Sequence, residues 1–122
     1  MARPKRNTVD YFPHSVKHQK TMYILEEKYG NDGYAFWFKL LELLGDTDGH
    51  YLDLSNKMNW KYLTAKTKLA EEKCREILDL LAELDAIDPE LWKKEGVWSQ
   101  NFVNNFIDLY KKRVSDLPRR PD

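Results

Sequence analysis

GYAFWFKLLELL, residues 33–44, is the stretch on which the fold turns. Only Lys39 and Glu42 are charged, and Tyr34, Phe36, Trp37, Phe38, Leu40, Leu41, Leu43 and Leu44 point all the way round a helical cylinder. A helix with no solvated face must be covered on several sides. At about 1.5–3 kcal/mol for each large apolar side chain taken out of water, burying this segment is the largest stabilising contribution the sequence offers. The remaining elements are read as its cover.

Towards the N-terminus, residues 15–29 form a first helix, with Met22, Leu25 and Tyr29 at helical spacing and Lys17, Lys20, Glu26 and Glu27 elsewhere on the cylinder. Gly30 suits a left-handed cap. Asn31 and Asp32 supply a turn, with Asp32 capping the central helix. Tyr11, Phe12 and Pro13 read as an extended, sticky segment laid across the core, because Pro13 keeps Phe12 out of helical angles. Residues 1–8 carry Arg3, Lys5 and Arg6 with nothing apolar to anchor them, and are expected to be a loose basic arm.

Towards the C-terminus, GDTDG at 45–49 is turn chemistry, and residues 50–54 alternate as a short strand. Ser55 or Asn56 caps a helix at 57–66 with Trp60, Leu63 and Thr64 inward. After a tight connection at 67–69, a helix at 70–84 turns Cys74, Ile77, Leu78, Leu81 and Leu84 inward. Residues 86–88 are extended, and Leu91–Trp92 with Val97–Trp98 flank a tip at 93–96, which reads as a β-hairpin. A last helix over 99–114 carries the stripe Phe102, Val103, Phe106, Tyr110 and Val114, and the tail DLPRRPD, 116–122, is expected to be disordered or a stub leading to a further region.

Composition bounds the classes. A chain of 122 residues makes one domain with a core that needs no disulfide or metal. The 20 basic and 20 acidic side chains cancel, so a nucleic-acid role must rest on a local patch. The single cysteine rules out an internal disulfide and fits a reducing compartment, and Cys74 lies in an apolar stripe where a thiol is structural. No apolar run is long enough to span a bilayer, and the chain is expected to be soluble and cytoplasmic.

Helix, strand, helix, tight turn, helix and hairpin, in that order, is a winged helix-turn-helix: mainly α with a small antiparallel sheet and extra helices at both ends. The domain occupies 9–115, with the wing at 86–99. DYFPHSV, KYGNDGYAFWFKLLELL, HYLDL, LDAIDPELW and WSQNF also resemble a family of N-terminal domains in phage and bacterial proteins. These are described as replisome-organiser-like, or similar to the N-terminal winged-helix domain of the primosome protein DnaD. The resemblance covers about residues 9–110. It implies winged-helix architecture, DNA binding linked to replication, self-association as in DnaD-like domains, and a further region following this one.

In the usual docking of such a fold, the helix after the turn enters the major groove. Here its outward side carries Arg75 against Glu71, Glu72, Glu76, Asp79 and Glu83, a net −4 that DNA would repel. Groove insertion is therefore disfavoured. The alternative is phosphate contact from a basic rim of Lys57, Lys61, Lys66, Lys68, Lys73, Lys93 and Lys94, with the arm Arg3, Lys5 and Arg6 tracking a groove of double-stranded DNA.

The competing class is a protein-interaction module, built on Tyr11, Phe12, Trp92 and Trp98, that binds a second copy or a replication protein. An enzyme is not expected: there is no Gly-rich phosphate loop, no nucleophile with its base and no metal-ligand spacing. His14 and His18 stand four apart, but two histidines without further ligands do not close a metal site. Neither a cofactor, a metal nor a small-molecule substrate is expected.

Overall fold

The computed structural model describes residues 6–17 and 19–122. Arg3 and Lys5 of the expected arm, and His18, lie outside the described residues. The central segment is the second leg of a long helix, α1, Lys20–Asp46, broken at Gly30 (φ 61°, ψ −143°). That backbone geometry is open to glycine and strained for side-chain-bearing residues. Helix begins at Lys20 instead of residue 15, because the Ser15 hydroxyl bonds the backbone of Lys17 at 3.0 and 3.2 Å in a local turn that competes with it. The expected turn at 31–32 shrinks to Gly30 alone, and Asp32 makes no capping hydrogen bond among the described residues. The legs cross so closely that a Cβ on Gly33 would lie 2.6 Å from the Leu25 carbonyl oxygen.

Of residues 33–44 only Glu42 is exposed. Phe36, Leu40 and Leu44 share one core with Met22 and Leu25 of the first leg and with residues from every later layer, among them Leu63, Ile77, Leu81, Phe102 and Tyr110. The enclosure inferred from the sequence is what the fold delivers.

After α1 the chain makes a 3-10 turn at Asp48–His50 and enters β1, Leu52–Asp53. The strand expected at 50–54 is thus reduced to two residues, because His50 takes a positive φ of 59° and turns into the core. Asn56 caps α2, Lys57–Thr67, by accepting from the Met58 amide. Trp60, Leu63 and Thr67 are its buried side, while Thr64 is only half-buried. Lys68, in the left-handed region at φ 62°, ends α2 and leads into α3, Glu71–Glu83. Cys74, Ile77, Leu78 and Leu81 are wholly buried there, and Leu84 half-buried at its end.

The wing differs from the hairpin read from the sequence. Asp88 accepts from the amides of Glu90 and Leu91, and with Pro89 in the first turn it starts a short helix, α4, Pro89–Trp92. The strand that follows, β2, Gly96–Val97, pairs antiparallel with β1, Leu52 opposite Val97 and Asp53 opposite Gly96. What remains of the expected pairing within 86–99 is one bond, from the Asp88 amide to the Trp98 carbonyl at 2.8 Å. The architecture is nonetheless mainly helical with a small antiparallel sheet, in a winged helix-turn-helix arrangement with α2 and α3 as the helical pair.

Ser99 caps α5, Gln100–Asn104, and after a break at Phe106 comes α6, Ile107–Lys112, so the single helix expected at 99–114 is two. Val114 falls outside the buried stripe, exposed and at φ 53°. The described residues near both ends pack. Val9 is buried and donates to the Gly45 carbonyl at 2.8 Å, and Arg113 donates to the carbonyl of Thr8 at 2.7 Å. Leu117 packs on the core and Arg120 pairs with Asp88, so the tail is docked instead of disordered. Among the described residues no helix is long and apolar enough to cross a membrane.

Candidate nucleic-acid interface

Two neighbouring helices carry opposite charge. The α2 segment KMNWKYLTAKT holds three lysines and no acid. Turning Trp60 and Leu63 inward leaves Met58, Tyr62 and Ala65 exposed on the opposite side, with Lys57 and Lys61 exposed on the flank between that side and Trp60. In α3 five acids stand against two bases, and Glu71, Glu72, Glu76, Asp79 and Glu83 are all exposed. Glu71 and Glu72 sit in its first turn, where carboxylates complement the helix dipole and occupy the place an anion would otherwise take. The one arginine of this face is spent internally: Arg75 bridges Glu71 at 3.2 Å and Glu95 at 3.6 Å, and its guanidinium lies over the Trp60 ring at 4.4 Å. The acidity of α3 expected from the helical projection holds in three dimensions.

Between α2, α3 and the start of β2 runs an open groove of about 590 Å³. Trp60 and Leu54 are among its apolar lining, Lys57 and Lys61 line the α2 side, Arg75 and Glu71 the α3 side, and Glu95 the end next to β2. The Trp60 indole nitrogen is buried without a hydrogen-bond partner among the described residues.

The basic residues singled out in the sequence divide into free and committed groups. Among the described residues Lys57, Lys61, Lys68 and Lys94 are exposed and have no ion-pair partner. Lys66 is bound to Glu42 at 2.9 Å, Lys73 to Glu76 at 3.3 Å and Lys93 to Glu90 at 3.4 Å. Lys73 also lies over the Tyr29 ring. Arg6 does not belong to a free arm: it pairs with Asp10 at 2.9 Å in a segment held against the end of α1.

The aromatic set does not converge. Trp98 is fully buried and packs with Leu91 and Val103, so it offers no surface. Half-buried Trp92 donates to Asp79 at 2.7 Å, tying α4 to the acidic helix. Phe12 packs edge-on against Phe102, which leaves Tyr11 as the one fully presented ring of the four. His14 lies flat on Phe38, with ring centres 3.7 Å apart, and bonds the Tyr34 hydroxyl at 3.0 Å. No group of three or more metal-ligating side chains gathers among the described residues.

Sequence reasoning missed Met58 and Tyr62, which are 55% and 62% exposed. The signal was present: both lie opposite Trp60 and Leu63 on a helix without an acid. It was hidden because a methionine and a tyrosine in an amphipathic helix read by default as core.

Fold and charge together define a winged helix-turn-helix domain whose free basic face lies on the first helix of the pair and whose second helix is acidic. The chain belongs to the Lin1244/Lin1753-like, N-terminal family, whose profile matches residues 11–102. No curated protein and no solved structure matches it.

Proposed function

We propose that this domain is a non-enzymatic DNA-binding module that holds the nucleic acid by its phosphates through the outer face of α2. The observation that carries the reading is the segregation of charge between adjacent helices: on α2, lysines with no acid on the same helix, of which Lys57 and Lys61 have no ion-pair partner among the described residues, and on α3 five exposed acids against Lys73 and Arg75, both of which are paired. A polyanion lowers its free energy by exchanging condensed counterions for lysines, and gains nothing from carboxylates. Lys57 and Lys61 are the principal contacts, with Lys68 at the turn and Lys94 at the wing extending the track. Lys66, Lys73 and Lys93 contribute less because each is already paired. Contacts of this kind position a ligand without reading its sequence.

The resemblance to replisome-organiser and DnaD-like domains supports placing this binding in DNA replication, in phage or bacterial cytoplasm. The alternative, self-association or docking on a replication protein through Tyr11, Phe12, Trp92 and Trp98, has less to stand on, since Trp98 is wholly buried.

The test is fluorescence anisotropy of a labelled oligonucleotide against the wild type and against Lys57→Glu with Lys61→Glu. Both side chains are exposed, so the substitutions leave the core untouched. Loss of binding in the variant supports the reading, and equal affinity overturns it.

A further inference from the structure

We infer that the preferred ligand of this face is a single strand, with an unpaired base seated in the groove between α2 and α3. The inference rests on the nucleic-acid reading above and names the form of nucleic acid it takes. A duplex is a rigid cylinder with one charge about every 1.7 Å of axis, and in the usual docking it brings its major groove over α3. Here that approach lays phosphates against five exposed carboxylates. A single strand carries half that linear charge and bends freely, so it follows the lysines of α2 without covering α3.

Unpaired bases also present faces that stack on aromatic rings and guanidinium planes, which paired bases do not. The domain holds both kinds of platform beside the lysines. Tyr62 and Met58 are exposed on α2, one residue after Lys61 and Lys57 respectively, so a cationic row and an apolar row run side by side along the helix. Arg75, 39% exposed and held over Trp60 by its two glutamates, lines the groove that Lys57 and Lys61 border. A strand whose phosphates rest on Lys57 and Lys61 thus has Tyr62 on one side of its path and the groove on the other.

The test compares a labelled mixed-sequence oligonucleotide with the same strand annealed to its complement, at one low salt concentration, against wild type, Tyr62→Ser, and Lys57→Glu with Lys61→Glu. The single strand is expected to bind about tenfold more tightly than the duplex, and Tyr62→Ser to remove roughly that tenfold from the strand alone. The lysine reversal weakens both. If the duplex binds as tightly as the strand, or Tyr62→Ser leaves the strand's affinity unchanged, the inference falls while the phosphate reading stands, provided the lysine reversal still abolishes binding. If wild type binds neither form, both readings fall.

Discussion

His50 and Tyr110, sixty positions apart, meet in the core with the imidazole Nε2 2.7 Å from the phenolic oxygen. The other ring nitrogen lies 2.9 Å from the Leu44 carbonyl. A carbonyl only accepts, so Nδ1 carries the proton and the Tyr110 hydroxyl donates to Nε2. The bond ties the turn after α1 to α6 and helps fasten the C-terminal helices over the central segment. Arg113 continues the fastening, stacked over the Tyr110 ring at 5.2 Å while it binds the Thr8 carbonyl.

This arrangement makes stability sensitive to mild acid. Burial holds the His50 pKa below its ordinary 6.5, and nearby Arg113 adds to this, against the Leu44 bond and Asp48. The unfolded chain therefore takes up a proton that the folded chain refuses. The contribution of His50 is complete above about pH 6.5 and is lost as pH falls below it, by at most about 1.4 kcal/mol per pH unit. Urea unfolding measured from about pH 7.5 down to about pH 5 is expected to show this decline, and His50→Gln to flatten it. Tyr110→Phe leaves the buried Nε2 without its donor and is expected to cost about 1–3 kcal/mol at neutral pH.

Gly33→Ala tests the crossing of the two legs of α1. Alanine favours helix over glycine by about 1 kcal/mol, so an open site would gain stability. Here the added methyl meets a backbone carbonyl at 2.6 Å, which cannot give way as a flexible side chain would. Thermal unfolding should show a net loss of about 1–3 kcal/mol, as for overpacked cores.

Relieving the acidity of α3 should strengthen nucleic-acid binding. Glu72→Lys with Glu83→Lys places two cations on its exposed side. The first change costs about 0.3–1 kcal/mol at the positive end of the helix dipole. Anisotropy titration is expected to show tighter binding of both nucleic-acid forms, with the larger gain for duplex, since the duplex is the form that α3 repels.

The fold was legible wherever one short-range rule decided it. Residues 33–44 announced their burial by having no polar side, Gly30 marked the break, and Asn56, one of two capping candidates with Ser55, marked a helix start through its side-chain acceptor. The wing was misread where two local rules competed: Leu91–Trp92 alternates well enough for a strand, but Asp88 followed by Pro89 caps a helical turn, and the cap prevailed. His50 was read as strand, since nothing local says that a histidine will find Tyr110 across the chain. The docked ends were illegible for the same reason, because Arg113 with Thr8 and Arg120 with Asp88 are long-range pairs. At the site, the acidity of α3 was readable by projection and the lysines of α2 directly from its sequence. Which lysines remain free was not, as that depends on Glu42 reaching Lys66 from another element.

The most direct test of the central claim, that α2 binds phosphates through its free lysines, is the dependence of nucleic-acid affinity on salt. For wild type, log K should fall linearly with log salt concentration. In Lys57→Ala with Lys61→Ala the slope should shrink by about one unit for each lysine removed, somewhat less on a single strand. An affinity that does not change with salt, or a slope identical in wild type and variant, would contradict it.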